Sequence, residues 1–145
     1  TIVNYEVKKE VTEDYKMNPP TTIGEYKIVK TLAKSSRSEV YLCESKKHKK
    51  KVVLKKMDRR IVAPELISIE VQAGKELQHP KLVKFLDEFK DEKEENIHFL
   101  VFEYIKGEDL FAFLAKNSFE DPFNEKEAKR VLRQLVGCLQ HVHEQ

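Results

Sequence analysis

Lys51-Val52-Val53-Leu54-Lys55-Lys56-Met57 decides the fold. A short run of β-branched and aliphatic residues bounded by lysines reads as a strand, because branched side chains pack well on a pleated surface. Upstream, Tyr26-Lys27-Ile28-Val29-Lys30-Thr31-Leu32 and Glu39-Val40-Tyr41-Leu42-Cys43-Glu44 have the same character. Lys46-Lys47-His48-Lys49-Lys50 suits a solvated hairpin tip between the second and third runs. Together they predict an antiparallel meander. Downstream, a helix fits 64–77: proline is tolerated in a first helical turn, and Leu66, Ile69, Ala73 and Leu77 recur at steps of three and four. His79-Pro80 stops it.

Two further strands are expected at 82–89 and 97–104, separated by the charged loop 90–96. Gly107 marks a turn, and 109–116 predicts a short helix. Asn124 with Glu127 three residues on resembles a capping box. From there Ala128, Val131, Leu132, Leu135, Val136, Leu139 and Val142 form an apolar stripe, so a long amphipathic helix is expected to about the end of the chain. Residues 1–22 are polar and end in Asn18-Pro19-Pro20-Thr21-Thr22, a linker signal. Within them the alternation of Val3, Tyr5 and Val7 allows a short strand.

The 145 residues suffice for one ordinary domain. With 27 Lys+Arg against 25 Asp+Glu, the net charge of +2 gives no reason to expect DNA or an anionic membrane as the main partner. The lysine run 46–51 has no interleaved aromatics, so a solvated turn is the better reading than a nucleic-acid patch. Two distant cysteines, Cys43 and Cys138, make no disulfide framework and point to a reducing, intracellular setting, cytoplasmic or nuclear. No run reaches the length of a membrane span, and the first residues are too charged for a signal-peptide core. His141 and His143, two apart on a helix, do not share a face and are not a metal pair. The chain begins at Thr1 rather than Met, which suggests an expressed segment or a processed product.

Meander, helix, two strands, short helix and long helix is the order found in the first half of a protein kinase domain. Val52-Val53-Leu54-Lys55 resembles the family's V-A-I-K strand. Ile69-Glu70-Val71 with Leu77-Gln78-His79-Pro80-Lys81-Leu82-Val83 resembles its helix C and the following turn. The stretch from Leu100 to Leu110, with Glu103-Tyr104, Gly107 and Asp109-Leu110, resembles the strand, hinge and next helix start. Residues 128–143 resemble the helix before the catalytic loop. The resemblance covers about 26–145 and is nearest in tone to Ser/Thr kinases of the calmodulin-dependent type.

It implies an α+β fold: a five-stranded antiparallel sheet with one helix as a kinase N-lobe, then two helices beginning the C-lobe. The implied boundaries are 1–22 for an extension, 23–105 for the N-lobe and hinge, and 106–145 for the start of the C-lobe. Lys55 would pair the α- and β-phosphates of ATP, held by Glu70 on helix C. Lys56, next door, would point to the other face of the sheet. Val40 and Val53 match the residues that sandwich adenine. Phe102 matches the gatekeeper, Glu103 and Ile105 the hinge backbone, and Asp109 the acidic position that can bind ribose.

The phosphate loop departs from the family. Leu32-Ala33-Lys34-Ser35-Ser36-Arg37-Ser38-Glu39-Val40 puts Ala33, Ser35 and Ser38 where G-x-G-x-x-G has glycine, and Arg37 where the tip is usually aromatic. A Cβ resists close approach to phosphate and positive φ, so weak ATP binding is expected. No H-R-D or D-F-G motif occurs in the 145 residues. Mg²⁺ would therefore enter only with the rest of the C-lobe, and this chain alone is not expected to catalyse. The alternative is a pseudokinase-like scaffold acting through protein contacts. On either reading, the stripe on 124–143 needs cover from a protein partner or from the remaining C-lobe.

Overall fold

The computed structural model describes residues 22–117 and 124–144; the expected strand around Val3, Tyr5 and Val7 lies outside them. The elements are β1 (Thr22–Ile23), β2 (Tyr26–Lys34), β3 (Ser38–Ser45), β4 (Lys50–Asp58), α1 (Pro64–Glu76), β5 (Phe85–Lys90), β6 (Ile97–Glu103), α2 (Leu110–Asn117) and α3 (Glu125–His143). Contacts divide the chain into two units. The first runs through Glu76 and resumes over Lys84–Tyr104; the second comprises Leu77–Val83 and the residues from Ile105 onward.

In the first unit all strand pairs are antiparallel, in the order β1-β2-β3-β4-β6-β5. There are six strands rather than the expected five. The extra one, β1, folds back on β2 through Gly24-Glu25, where Gly24 takes φ 55°. Positive φ at the first of two turn residues is the glycine-favoured form of a tight hairpin. At the other end of the meander, the lysine run forms the β3–β4 turn: β4 begins at Lys50, and Lys47 pairs with Asp87 of β5.

Alternation along the strands builds two cores. One face carries Tyr26, Ile28, Cys43, Val52, Leu54, Ile97, Phe99 and Val101. Tyr26 stacks on Phe89 with ring centroids 5.3 Å apart, and Phe89 stacks on Phe99 at 5.0 Å. Tyr26 lies on β2 and Phe89 on β5, near opposite ends of the strand order, so the sheet curls around this core. The other face carries Met57 and Leu100, covered by Val62 and by Ile67 and Val71 of α1, with Phe85 and Phe102 at the margin. The helix is where the sequence predicts it, but its buried face is not the Leu66/Ile69 stripe, whose members are 58% and 61% exposed.

β5 starts at Phe85, three residues later than expected. The backbone before it is still turning: Leu82 N–H donates to the His79 carbonyl, and Lys81 N–H to His79 Nδ1. In the second unit, Asn124 caps α3 by accepting from Glu127 N–H at 3.0 Å, as the sequence suggests. The His79 and His141 rings meet with centroids 5.0 Å apart. Among the described residues, no helix is long and apolar enough to cross a membrane.

Candidate functional site

Cross-strand register puts the main candidates on the helix-covered face of the sheet. Lys55 lies opposite Val40 on one side and Leu100 on the other, while Val53 lies opposite Leu42 and Phe102. Val40, Val53, Lys55 and Phe102 therefore share a face. Lys56 lies opposite Glu39 and Phe99, on the other face. α1 contributes the counter-charge: Lys55 Nζ is 2.5 Å from Glu70 Oε1, with the side chains 18% and 24% exposed. Partial burial matters, because a charge-assisted bond is stronger where water competes less. The cation is thus fixed at a defined point beside an apolar wall.

What brings Glu70 there is the seating of α1. Gly74, one turn on, lies so close to β5 that an added Cβ would meet Phe85 ring carbons at 2.8 Å. Phe85 in turn makes an edge-to-face contact with Phe102, ring centroids 5.6 Å apart. Lys75 Nζ donates to Glu88 Oε1 at 2.7 Å, and His98 Nε2 lies 2.8 Å from Glu88 Oε2. The Lys75 bond, with help from His98, holds the Glu88 carboxyl below the usual glutamate range despite the opposing effect of burial. These fasteners escaped the sequence reading. An isolated glycine inside a helical pattern was the available signal for Gly74; nothing in the sequence couples Glu88 to residues 13 and 10 positions away.

The β2–β3 turn closes without positive φ: among the described residues other than glycine, only Lys49 has one. Ala33 lies opposite Val40. Ser35 N–H donates to the Ser38 carbonyl at 2.9 Å, and the Ser35 hydroxyl accepts from Arg37 N–H at 3.2 Å and from Ser38 N–H at 3.1 Å. Below the turn, Lys34 reaches Glu39 at 2.7 Å, and the Tyr41 hydroxyl donates to the same carboxylate. Those two bonds, Lys34 first, hold the Glu39 carboxyl low. Leu32 falls in a register shift and is 41% exposed.

Glu103 ends β6 with its N–H on the Lys84 carbonyl at 2.9 Å and its carboxylate accepting from Lys84 N–H at 2.8 Å. Ile105 and Asp109 belong to the second unit. Ile105 is 62% exposed. Asp109 caps α2: its Oδ1 accepts from Ala112 N–H at 2.7 Å and its carbonyl from Phe113 N–H at 3.0 Å. A separate hollow, lined by Ile67, Val71, Lys75, Glu88 and His98 among others, includes none of the candidate residues. Among the described residues, no cluster of three or more His, Cys, Asp or Glu side chains could hold a metal ion.

A strand lysine anchored by a helix glutamate on an apolar sheet face now has an independent counterpart. The protein kinase domain family matches residues 26–145. The chain belongs to the protein kinase family. Similar kinases include a probable myosin light chain kinase of Dictyostelium discoideum, 32% identical over 121 residues, covering 83% of this chain and 37% of the relative. The probable serine/threonine-protein kinase MARK-C of the same organism is 28% identical over 131 residues, covering 88% and 17%. The carbon catabolite-derepressing protein kinase of Saccharomyces cerevisiae is 32% identical over 125 residues, covering 83% and 19%. This kinase chain therefore spans well under half the length of each of these relatives.

Proposed function

We propose that this chain carries the ATP-binding part of a Ser/Thr protein kinase, whose whole protein transfers the γ-phosphate of ATP to a protein Ser or Thr hydroxyl. The observation that carries the reading is the Lys55–Glu70 bond of 2.5 Å. An isolated lysine would sweep through solvent; one held by a helix carboxylate presents its charge where the α- and β-phosphates are to lie. Val40, Val53 and Phe102 supply apolar wall for the base. The N–H of Glu103 is already engaged, so a hydrogen bond from that residue to adenine falls to its carbonyl. By the family pattern, Ile105 supplies a further backbone group and Asp109 a ribose contact.

The Mg²⁺ that accompanies ATP in kinases is assigned to no residue of this chain. Its ligands and the catalytic base are sought outside the 145 residues, since H-R-D and D-F-G do not occur within them. Both cysteines are free, which suits a reducing intracellular compartment; burial pushes the Cys43 thiol up to about 11, leaving it unreactive.

The test is a MgATP titration followed by thermal shift for the wild-type chain, Lys55→Met and Glu70→Gln. Stabilisation is expected to rise with the logarithm of ATP concentration. Lys55→Met should abolish most of it, and Glu70→Gln should weaken ATP roughly tenfold, the worth of one charge-assisted bond. No shift at millimolar ATP in a folded chain, or equal shifts in all three, would sink the reading and favour a scaffold working through protein contacts.

A further inference from the structure

A loop that cradles phosphate does so with backbone N–H groups left free for the anion. In this chain several of those groups have an occupant. The Ser35 hydroxyl accepts from Arg37 N–H at 3.2 Å and from Ser38 N–H at 3.1 Å, and its own proton is directed at the Ser38 carbonyl (3.2 Å) or hydroxyl (3.4 Å). A serine hydroxyl has one donor and two acceptor positions, and all three are in use. The Ser35 N–H is committed as well, to the Ser38 carbonyl at 2.9 Å. At the mouth of the turn, the Lys34–Glu39 ion pair joins the two strands. Three N–H groups of the turn, on Ser35, Arg37 and Ser38, are thus engaged within it.

We infer that Ser35 is an internal competitor for the phosphates of ATP: its hydroxyl holds the Arg37 and Ser38 N–H groups that a phosphate oxygen must take, and so sets nucleotide affinity. This rests on the nucleotide-site reading above. It also refines the expectation drawn from the missing glycines. None of Ala33, Ser35 or Ser38 needs a positive φ here, so the obstacle to phosphate is occupation of the donors rather than a strained path. A phosphate oxygen makes the stronger, charge-assisted bond and can still displace the hydroxyl. The effect is therefore a reduction in affinity, not its loss.

The experiment compares the wild-type chain with Ser35→Ala and Ser35→Thr by two readouts. The first is residue-resolved amide hydrogen exchange without nucleotide; the second is the dissociation constant for MgATP beside that for adenosine. Ser35→Ala is expected to speed exchange at Arg37 and Ser38 and to tighten MgATP about three- to tenfold, the worth of roughly one hydrogen bond. Adenosine, which has no phosphate, should bind as before. Ser35→Thr, which restores the hydroxyl, should return both readouts towards wild type. Unchanged exchange in Ser35→Ala overturns the inference, since the hydroxyl would not be holding those amides. Faster exchange with equal or weaker MgATP binding also overturns it, because the hydroxyl would then be ordering the loop for phosphate. Faster exchange with neither MgATP nor adenosine bound by any variant defeats the nucleotide-site reading itself, and the competition with it.

Discussion

Glu88 shows how much of the Lys55–Glu70 geometry depends on a residue that touches neither partner. Its two oxygens hold Lys75 at the end of α1 and His98 on β6, at 2.7 and 2.8 Å. The helix bearing Glu70 is thus tied to the sheet at its far turn. The Lys75 bond, the largest influence, keeps the Glu88 carboxyl below its ordinary range. A carboxyl with a depressed folded-state pKa contributes stability that is fully present above the unfolded-state value and is lost as pH falls through the folded one. Glu88→Gln should therefore cost about 1 kcal/mol at pH 7, the upper end for partly exposed pairs. The difference from wild type should shrink as pH drops below about 4. Urea midpoints for both proteins at pH 7, 5.5 and 3.5 measure this. A gap that stays constant across that range would mean the carboxylate charge contributes nothing and only packing was lost.

At the level of elements, the seating of α1 is the feature that decides whether Lys55 has a partner. Glycine within a helix costs up to about 1 kcal/mol relative to alanine, so Gly74→Ala, in the last turn of α1, ought to stabilise an unpacked helix. Here the new methyl would meet Phe85 at 2.8 Å, at ring carbons close to the backbone, and Phe85 is itself braced against Phe102. Overpacking of this kind costs about 1–3 kcal/mol. The expected net result is destabilisation by about 1 kcal/mol with weaker MgATP binding, and Phe85→Leu in the same chain should relieve much of it. Chemical denaturation of the two single variants and the double variant checks this; a neutral or stabilised Gly74→Ala would show a loosely seated helix. The same element marks how far the sequence could be read. The existence of α1, its proline start and the pairing of Lys55 with Glu70 were legible, the last through the family resemblance. Its orientation was not: Leu66/Ile69/Ala73 and Ile67/Val71 are both apolar series at helical spacing, and periodicity cannot choose between them. In the structure Ile67 and Val71 turn inward, and Gly74 on the same side lets the helix approach Phe85. β1 was hidden for another reason, since a two-residue strand has no periodicity to detect and only Gly24 hinted at the turn. The loop's missing glycines were visible as residues, but the inward Ser35 hydroxyl is a matter of geometry.

For the molecule as a whole, α3 sets the solution behaviour. Leu132, Leu135, Val136 and Leu139 recur at steps of three, one and three, so they share a face, and they are 58, 45, 60 and 41% exposed. No residue of α3 is buried. In proteins most helical stability comes from packing of an amphipathic face; the Asn124 cap and the Glu125–Lys129 pair help α3 but do not hide the stripe. Removing a half-exposed Leu or Val side chain from water gains roughly 1 kcal/mol. A self-association that covers the stripe on both copies therefore gains roughly 8 kcal/mol before an association cost of at least about 4. The remainder corresponds to a dissociation constant on the order of 1 mM, tighter where neighbouring residues join the contact. Light scattering or sedimentation of the 145-residue chain should accordingly show mass rising with concentration as it approaches that range. Leu132→Lys with Val136→Glu places charges on the face and should keep the chain monomeric. Because those residues lie in the second unit, away from Lys55 and Glu70 in the sequence, MgATP binding serves as the control for an intact first unit. A wild-type chain that remains monomeric at millimolar concentration would show that the stripe is adequately solvated, and the need for a covering lobe or partner chain would fall away.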